Sequence, residues 1–309
     1  MIENIRFRPG HGLAVPLVAV AMLATAAGGA LADPAFTYGN SDDVKDVKAV
    51  VWTAAAEGGL VLTTGNSQTT TATAGIKTTR KSGNNQLAFD GAITYARAST
   101  RVLDDRNGNG LVDNQSEITT KDVTSAESLA GKLRYDRFLT KHNSLYIAAL
   151  GARDVPAGKL GSFGGQVGYS RQVYKTKTAE TTVEVGYDYS REILVSKNLS
   201  IHSVRGFIGH KDELTPGATL VASIEGLTNL NSEELPTGKD GSIGQDTRIN
   251  TVLAISAKIG KTLSVQTSIE AHYDHRPAPL KIDGLAMGFV PEASRLDTIM
   301  KASLIYTLF

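Results

Sequence analysis

The chain reads LSVQTSIEAHYDH from Leu263 to His275, and its pattern of apolar and polar residues indicates the fold class. Up to residue 274, the odd positions are apolar apart from Thr267, and the even positions are all polar. Alternation with a period of two is typical of a β-strand that has one apolar face and one polar face. A tilted strand needs about 9–11 residues to cross a bilayer, whereas strands in soluble proteins average about five or six. The length of the stretch therefore favours a membrane-spanning strand.

The same alternation recurs along the rest of the chain, with turn sequences between the segments. About twelve segments can be distinguished, and they start near Trp52, Thr69, Gln86, Glu127, Ser144, Ser162, Ala179, Ser200, Gly217, Thr247, Thr262 and Arg295. The pattern predicts an all-β chain that folds as a transmembrane antiparallel up-and-down β-barrel of about 12 strands over residues 52–309.

The connections between the segments differ in length according to their position. Links after even-numbered segments are short, such as Ser82–Asn85 and Gly260–Lys261, whereas the three longest loops, 102–118, 229–246 and 276–294, all follow odd-numbered segments. Outer-membrane barrels have short periplasmic turns and longer extracellular loops. The alternation in loop length therefore predicts that the barrel begins and ends on the periplasmic side.

Charged residues occupy the polar face of the predicted strands, which in a barrel is the lumen. The predicted lumen set is Glu57, Lys77, Asp90, Lys132, Arg134, Asp136, Glu184, Asp188, Glu225, Arg248, Lys258, Glu270, Asp297 and Lys301. Both signs are interspersed, so no strong ion filter is expected. A barrel of twelve strands has an interior wider than that of a filled eight-stranded barrel and narrower than that of an open porin. The sequence is compatible both with a narrow water path and with a lumen closed by paired charges.

The N-terminus carries the features of a secretory signal peptide. Arg6 and Arg8 precede an apolar run over 13–27, and the small-residue site Ala30-Leu31-Ala32 follows. The run is shorter than the roughly 20 residues that a membrane-spanning helix needs. We therefore predict a cleaved signal peptide over residues 1–32 and export to the outer membrane.

Composition limits the partners of the exported chain. It has no cysteine, and its net charge of +1 gives no electrostatic reason to bind nucleic acid. Residues 33–51 are predicted to be a periplasmic N-terminal lead-in. The aromatic Phe309 lies directly after the last strand, although one position out of phase with its apolar face. The expected partners are outer-membrane lipids and the barrel-assembly machinery, and the oligomeric state is left open.

Several short motifs resemble a known family. They are Glu57-Gly58-Gly59-Leu60, Thr64-Gly65-Asn66-Ser67-Gln68-Thr69, Leu133-Arg134-Tyr135-Asp136-Arg137-Phe138-Leu139-Thr140, Gly165-Gln166-Val167-Gly168-Tyr169-Ser170-Arg171 and Val185-Gly186-Tyr187. Together they resemble the salt-induced outer-membrane protein family, a YdiY-like domain of unknown function, over roughly residues 52–309. The resemblance implies a barrel and an outer-membrane address. It implies no reaction and no catalytic residues.

One loop segment resembles a metal-binding motif. The pattern D-x-N-x-N-G-x-x-D places the oxygen ligands Asp105, Asn107, Asn109 and Asp113 around Gly110, as in a calcium loop. The twelfth position holds a serine, where such loops carry a bidentate glutamate. The same residues also suit a solvated turn without an ion. Calcium is thus the one cofactor for which the sequence offers candidate ligands.

The sequence leaves several functions open. His272 and Asp274, with a serine such as Ser268 or Ser303, resemble the components of a hydrolase. Their positions in the alternating pattern, however, place them in the lumen instead of at the lipid surface. We therefore expect a lumenal hydrogen-bond network there and predict no catalytic residue. The expected function is a narrow passive channel or a structural barrel. The alternatives are an outer-membrane lipid hydrolase and a surface binding or adhesion protein that uses the long loops.

Overall fold

A computed structural model describes residues 50–63, 68–103, 118–155, 158–194, 197–234, 240–277 and 295–308, and most of these residues lie in β-strands. No helix in these ranges is long and apolar enough to cross a membrane. The predicted signal peptide, the lead-in up to residue 49, the calcium-type loop and Phe309 lie outside the described residues. Those four expectations stay predictions.

The described ranges contain fourteen strands. They are β1 (Val51–Thr63), β2 (Gln68–Ser82), β3 (Asn85–Leu103), β4 (Ile118–Phe138), β5 (Asn143–Asp154), β6 (Lys159–Lys175), β7 (Ala179–Leu194), β8 (Asn198–Thr215), β9 (Ala218–Asn229), β10 (Glu233–Glu234), β11 (Asp240–Gly241), β12 (Thr247–Lys258), β13 (Leu263–Asp274) and β14 (Leu296–Thr307).

Twelve of these strands form one closed antiparallel barrel. Each strand pairs with its neighbours along the chain, β9 pairs with β12, and β14 returns to pair with β1. The strands β10 and β11 form a separate two-stranded ribbon inside the β9–β12 loop. The prediction of an up-and-down barrel with about twelve strands is therefore confirmed.

The two ends of the barrel differ in their connections. The short-turn end holds the links 83–84, 139–142, 176–178, 216–217 and 259–262, and the loop end holds the long β3–β4, β9–β12 and β13–β14 connections. Gly83 adopts a φ of 53°, a left-handed conformation that glycine accepts without strain, and it thereby turns β2 tightly into β3. The predicted separation of short and long connections is confirmed.

The strand boundaries differ from the prediction mainly at β4. This strand begins at Ile118 instead of near Glu127, and it stays paired with β3 as far as Leu103, with one shift of register between Ala96 and Arg97. In the sequence, polar residues occupy both odd and even positions of residues 118–126, so this stretch lacks the alternation that indicated the other strands. The β10–β11 ribbon was also missed, because two-residue strands are too short to show a period.

The two faces of the barrel wall have opposite chemistry. Val265 and Ile269 on β13 point outward and are 38% and 39% exposed, whereas Glu270 and His272 point inward and are 8% and 3% exposed. The same arrangement holds on the other strands, where apolar side chains form an outer band and charged side chains are buried inside. In a soluble protein the apolar side chains would be the buried ones. The predicted assignment of faces is therefore correct.

One junction of the barrel is paired over a much shorter length than the others. At the β1–β14 junction, hereafter the seam, Ala55–Gly58 pair in register with Leu304–Thr307, which gives four registered pairs. The eleven other junctions of the barrel each have eleven or more. The barrel is thus closed, but least firmly at the seam.

Candidate functional site: a charged belt across the lumen

Arg134 on β4 links two parts of the lumen that are not neighbours in the sheet. Its Nε and Nη2 donate to Asp136 Oδ2 and Oδ1 over 2.9 and 2.6 Å. Its Nη1 and Nη2 donate to Glu184 Oε2 and Oε1 over 3.1 and 2.7 Å. Because β5 and β6 separate β4 from β7 in the wall, the second pair of bonds bridges two intervening strands.

Arg205 on β8 continues this network from the other side of Glu184. Its Nη1 donates to Glu184 Oε2 over 2.7 Å and to Tyr146 Oη over 2.9 Å, and its Nε donates to Glu225 Oε1. Glu184 therefore accepts hydrogen bonds from two arginines. Hydrogen bonds between ionised groups are about twice as strong as neutral ones.

The chain of contacts then extends along β12, β13 and β14. Asn250 Nδ2 donates to Glu225 Oε2 over 3.1 Å, and Asn250 Oδ1 lies 3.0 Å from His272 Nδ1. His272 Nε2 lies 3.8 Å from Glu270 Oε2, and Lys301 Nζ donates to both oxygens of Glu270 over 2.8 and 3.0 Å. We call this series the charged belt, and its members are Asp136, Arg134, Glu184, Arg205, Glu225, Asn250, His272, Glu270 and Lys301.

Tyr146 fills the space between Arg134 and the barrel wall. The Arg134 guanidinium lies 4.1 Å from the centre of the Tyr146 ring, close enough for a cation–π interaction. On the opposite side, a Cβ added to Gly168 or to Gly186 would lie 2.6 Å from Tyr146 Oη. The bare backbone at these two glycines therefore lets the phenol lie flat against β6 and β7. We call the region formed by β4–β8 around Tyr146 the packed wall.

The charged groups of the packed wall are withdrawn from solvent. The side chains of Arg134, Glu184 and Arg205 are 1%, 0% and 2% exposed. A buried ion pair gains little over a well-packed apolar core, but removal of one partner leaves an uncompensated charge at a high cost. Each charged group of the packed wall therefore needs its partners, because loss of one would leave another buried without compensation.

Two further groups of charges line the lumen. Asp90 on β3 is buried, and Lys77 and Lys132 attract it electrostatically. Nearer the loop end, Glu192 Oε1 accepts from Lys159 Nζ over 3.4 Å and from Arg248 Nη1 over 3.1 Å. Charges of both signs are therefore paired at several levels of the lumen, and they do not form a ring of one sign.

The loop end is covered in part by the β9–β12 loop. Asn231 Nδ2 donates to Ser200 O over 2.8 Å, and its Oδ1 accepts from His202 N over 2.9 Å, so the loop continues the pairing along β8. Beneath it, the inward side chains Leu199 and Ile201 are buried. Burial raises the pKa of the Asp246 carboxyl in this loop above its usual value, although Arg248 opposes the shift.

A cavity of about 140 Å³ lies in the half of the lumen nearer the short-turn end. Part of its wall is apolar and comes from Phe207, Val252 and Ala254, and on the side of the seam it is bordered by Glu57 and Ser303. Residues of β4, β5 and β6 do not line it, because Tyr146 and Arg134 cover that stretch of the wall.

His272 and Ser268, which were considered as parts of a hydrolase, do not form a hydrogen-bonded pair. His272 is 3% exposed, its Nδ1 faces Asn250, and its Nε2 has no hydrogen-bond partner. Ser268 is buried on the same strand, so neither ring nitrogen activates a serine at this position. His272 and Glu270 instead belong to the charged belt, as the expected lumenal network required.

The described part of the chain contains no group of three or more His, Cys, Asp or Glu residues that could hold a metal ion. The predicted ligands Asp105, Asn107, Asn109 and Asp113 lie outside it, so the calcium loop stays a prediction.

The lumen set predicted from the sequence is largely correct, but two contributors were missed. Tyr146 and Gln166 are inward and hydrogen-bonded, the second through Nε2 to Asp188 Oδ2 over 3.0 Å. Glycines at Gly168 and Gly186 on adjacent strands were the available signal for an inward tyrosine. Among the predicted lumen residues, Lys258 is exposed, because it lies at the short-turn end of β12.

The chain was compared with curated sequences and with solved structures. A search of curated protein sequences found no match. Among solved structures, the chain is similar to the NanC porin, at 10% identity and a TM-score of 0.43, over 83% of this chain and 100% of that one. It is also similar to the translocator domain of the autotransporter NalP from Neisseria meningitidis, at 14% identity and a TM-score of 0.39, over 86% and 91%. A third similar structure is OmpT of Vibrio cholerae in its trimer form, at 10% identity and a TM-score of 0.36, over 84% and 99%.

The family assignment comes from the sequence. A family model described as "Protein of unknown function, DUF481" matches residues 56–307, which is nearly the whole barrel. This match confirms the family of unknown function that the motifs of the chain resemble. The chain belongs to the DUF481 family.

Proposed function

We propose that the protein is an outer-membrane barrel whose lumen is held closed by the charged belt, so that it conducts solutes poorly in its resting conformation. The observation that carries this proposal is the pair of bonds from Arg134 to Glu184, because they bridge β5 and β6 inside the lumen. An open porin of 16–18 strands keeps an aqueous channel, whereas a barrel of twelve strands has less interior to fill.

The outer surface supports a membrane location. Aliphatic side chains such as Ile147, Val167 and Leu304 are 59%, 53% and 52% exposed on the outside of the barrel. Tyr135 and Tyr169 lie on the same surface and donate hydrogen bonds to Asn85 and Asn143 at the short-turn end. Outer-membrane barrels carry an apolar band with aromatic residues at its borders, and closure satisfies the backbone hydrogen bonds that lipid cannot.

The loop-length pattern supports an orientation. In outer-membrane barrels the short turns face the periplasm and the longer loops face outward. We therefore assign the short-turn end to the periplasm, which places the cavity in the periplasmic half of the lumen and the β9–β12 loop at the cell surface.

Osmotic swelling of proteoliposomes tests the closed lumen. Liposomes that contain the wild-type barrel should swell slowly in arabinose, at a rate close to that of empty liposomes. A variant with Arg134→Ser, Glu184→Ser and Arg205→Ser removes both the charges and the bulk of the belt, and it should swell several times faster.

The matched control for this experiment keeps the volume and removes only the charge. Arg134→Met, Glu184→Gln and Arg205→Met fill the same space, with Asp136→Asn and Glu225→Gln added so that no partner of the two arginines is left charged. Replacement of buried ion pairs by residues of similar volume is often neutral for stability. This control should swell as slowly as the wild type. Rapid swelling of the wild type, or equal rates for the serine and wild-type barrels, would contradict the proposal.

A further inference from the structure

The seam is the place where the barrel wall is easiest to part. Registered pairing ends at Gly58 and Leu304, and within the described residues of the two strands no pair is recorded between Gly59–Thr63 and Ile299–Ser303. The other side of each strand is fully paired, since β1 pairs with β2 up to Thr63. The gap in pairing therefore belongs to the seam alone.

The unpaired stretch lies within the apolar band. Leu60 on β1 and Met300 on β14 point outward and are 64% and 59% exposed. Gly59 lies beside Ala302, because a Cβ added to Gly59 would stand 3.0 Å from Ala302 O. The strands thus remain neighbours there without the residue pairing that is found at the other junctions.

Unpaired backbone at membrane depth is tolerated only where protein or a water-containing cavity lies against it. The cavity of about 140 Å³ meets this condition, because Glu57, Lys301 and Ser303 of the two seam strands line it. The weakest junction of the wall and this cavity are therefore in direct contact.

We infer that the seam is a lateral portal, through which a small amphipathic molecule with one aromatic ring passes between the membrane and the lumenal cavity. This inference rests on the proposed membrane location. The volume of the cavity is close to that of a cavity of about 150 Å³ that admits benzene. Phe207, Val252 and Ala254 provide an apolar patch for the ring, and the rest of the lining is largely polar or charged and includes Ser268 and Ser303, which provide hydroxyl groups for one polar substituent.

The charged belt explains why the portal is lateral. Arg134, Glu184 and Arg205 occupy the lumen on the packed wall, and the β9–β12 loop covers Leu199 and Ile201 at the loop end. An apolar ring that entered from the loop end would have to displace these buried ion pairs. A route through the seam passes only the Lys301–Glu270 pair of the belt, in which the lysine side chain is 27% exposed.

Binding and exchange of 4-fluorophenol, followed by fluorine NMR on the full chain in lipid nanodiscs, test the inference. The wild type should give a bound signal in exchange with free probe. Ala254→Phe fills the cavity and should abolish the bound signal. Absence of a bound signal in the wild type, or its persistence in Ala254→Phe, would overturn the assignment of the cavity as a binding site.

A cross-link distinguishes the lateral route from entry along the lumen. The chain has no cysteine, so Leu60→Cys with Ala302→Cys can lock the unpaired stretch, by a disulfide or by a short bismaleimide. Gly58→Cys with Leu304→Cys places the same cross-link at a registered pair of the seam and serves as the control. The lock should slow probe exchange at least tenfold, and the control should leave it unchanged.

Equal exchange rates in the locked and control proteins would show that the probe enters through an end of the barrel, and the portal would be rejected. Arabinose swelling of the same preparations reports on the closed lumen separately. Because the lock leaves the belt intact, failure of the portal and failure of the closed lumen give different results.

Discussion

The packed wall and the seam lie in the same barrel but are held together differently. In the packed wall, β6 and β7 share fifteen registered pairs, and Tyr146 and two arginines pack against their inner face. At the seam, β1 and β14 share four registered pairs, and a cavity lies behind them. The difference indicates that the strands of the packed wall are joined more strongly than β1 and β14 are joined at the seam.

The largest effect should follow from breaking the belt at its centre. Arg134→Ala leaves Asp136 and Glu184 buried with one partner fewer, and loss of one member of a buried ion pair costs about 3–5 kcal/mol. Urea unfolding of the reconstituted barrel, followed by the fluorescence of the single tryptophan Trp52, measures this loss. Arg137→Ala on the same strand is the control, because Arg137 is exposed and should contribute less than about 1 kcal/mol. Similar losses in both variants would show that burial does not set the strength of the belt.

Hydrogen exchange should separate the two regions without a mutation. Amides of Ile299–Ser303 that point toward β1 should exchange through local opening. Their opening free energy should be lower by about 2 kcal/mol or more than that of the amides of Gly168 and Gly186, which form a registered pair between β6 and β7. Equal protection at the seam and in the packed wall would remove the contrast between them.

A single methyl group should disturb the packed wall. The Cβ of Gly186→Ala would lie 2.6 Å from Tyr146 Oη and 2.7 Å from Val167 O, so the phenol or the strand must move, at a cost of about 1–3 kcal/mol. Gly206→Ala on β8 is the matched control, because nothing lies within 4 Å of its Cβ. If both variants unfold at the same urea concentration, the phenol is not confined by the bare backbone.

The smallest effect is expected for an ion pair outside the packed wall. Arg97 and Asp122 join β3 to β4 near the loop end, and their side chains are 52% and 42% exposed. Asp122→Asn should change the free energy of unfolding by less than about 1 kcal/mol, and added salt should reduce the change further. A loss as large as that of Arg134→Ala would mean that exposure does not weaken this pair.

The sequence predicted the parts of the fold that depend on local pattern. Alternation along Leu263–Asp274 correctly assigned the inward face of β13, because a lipid-facing charge is costly and a period of two is therefore enforced. The start of β4 at Ile118 was missed, because polar residues occupy both odd and even positions of that stretch and no alternation of apolar and polar residues is visible.

The partners within the site could not be predicted in the same way. Arg134 and Glu184 were both assigned to the lumen, but their contact spans two intervening strands and depends on the curvature of the barrel. Tyr146 was missed because an inward tyrosine interrupts the expected pattern of outward aromatics. The short pairing of β1 with β14 has no sequence signal either, since both strands show ordinary alternation.

Single-channel recording in a planar bilayer shows whether the charged belt closes the lumen. The wild-type barrel should produce no discrete conductance steps at moderate voltage, and the variant with serine at 134, 184 and 205 should produce them. Steps of porin size in the wild type would contradict the closed lumen, and a silent serine variant would show that the charged belt is not what closes it.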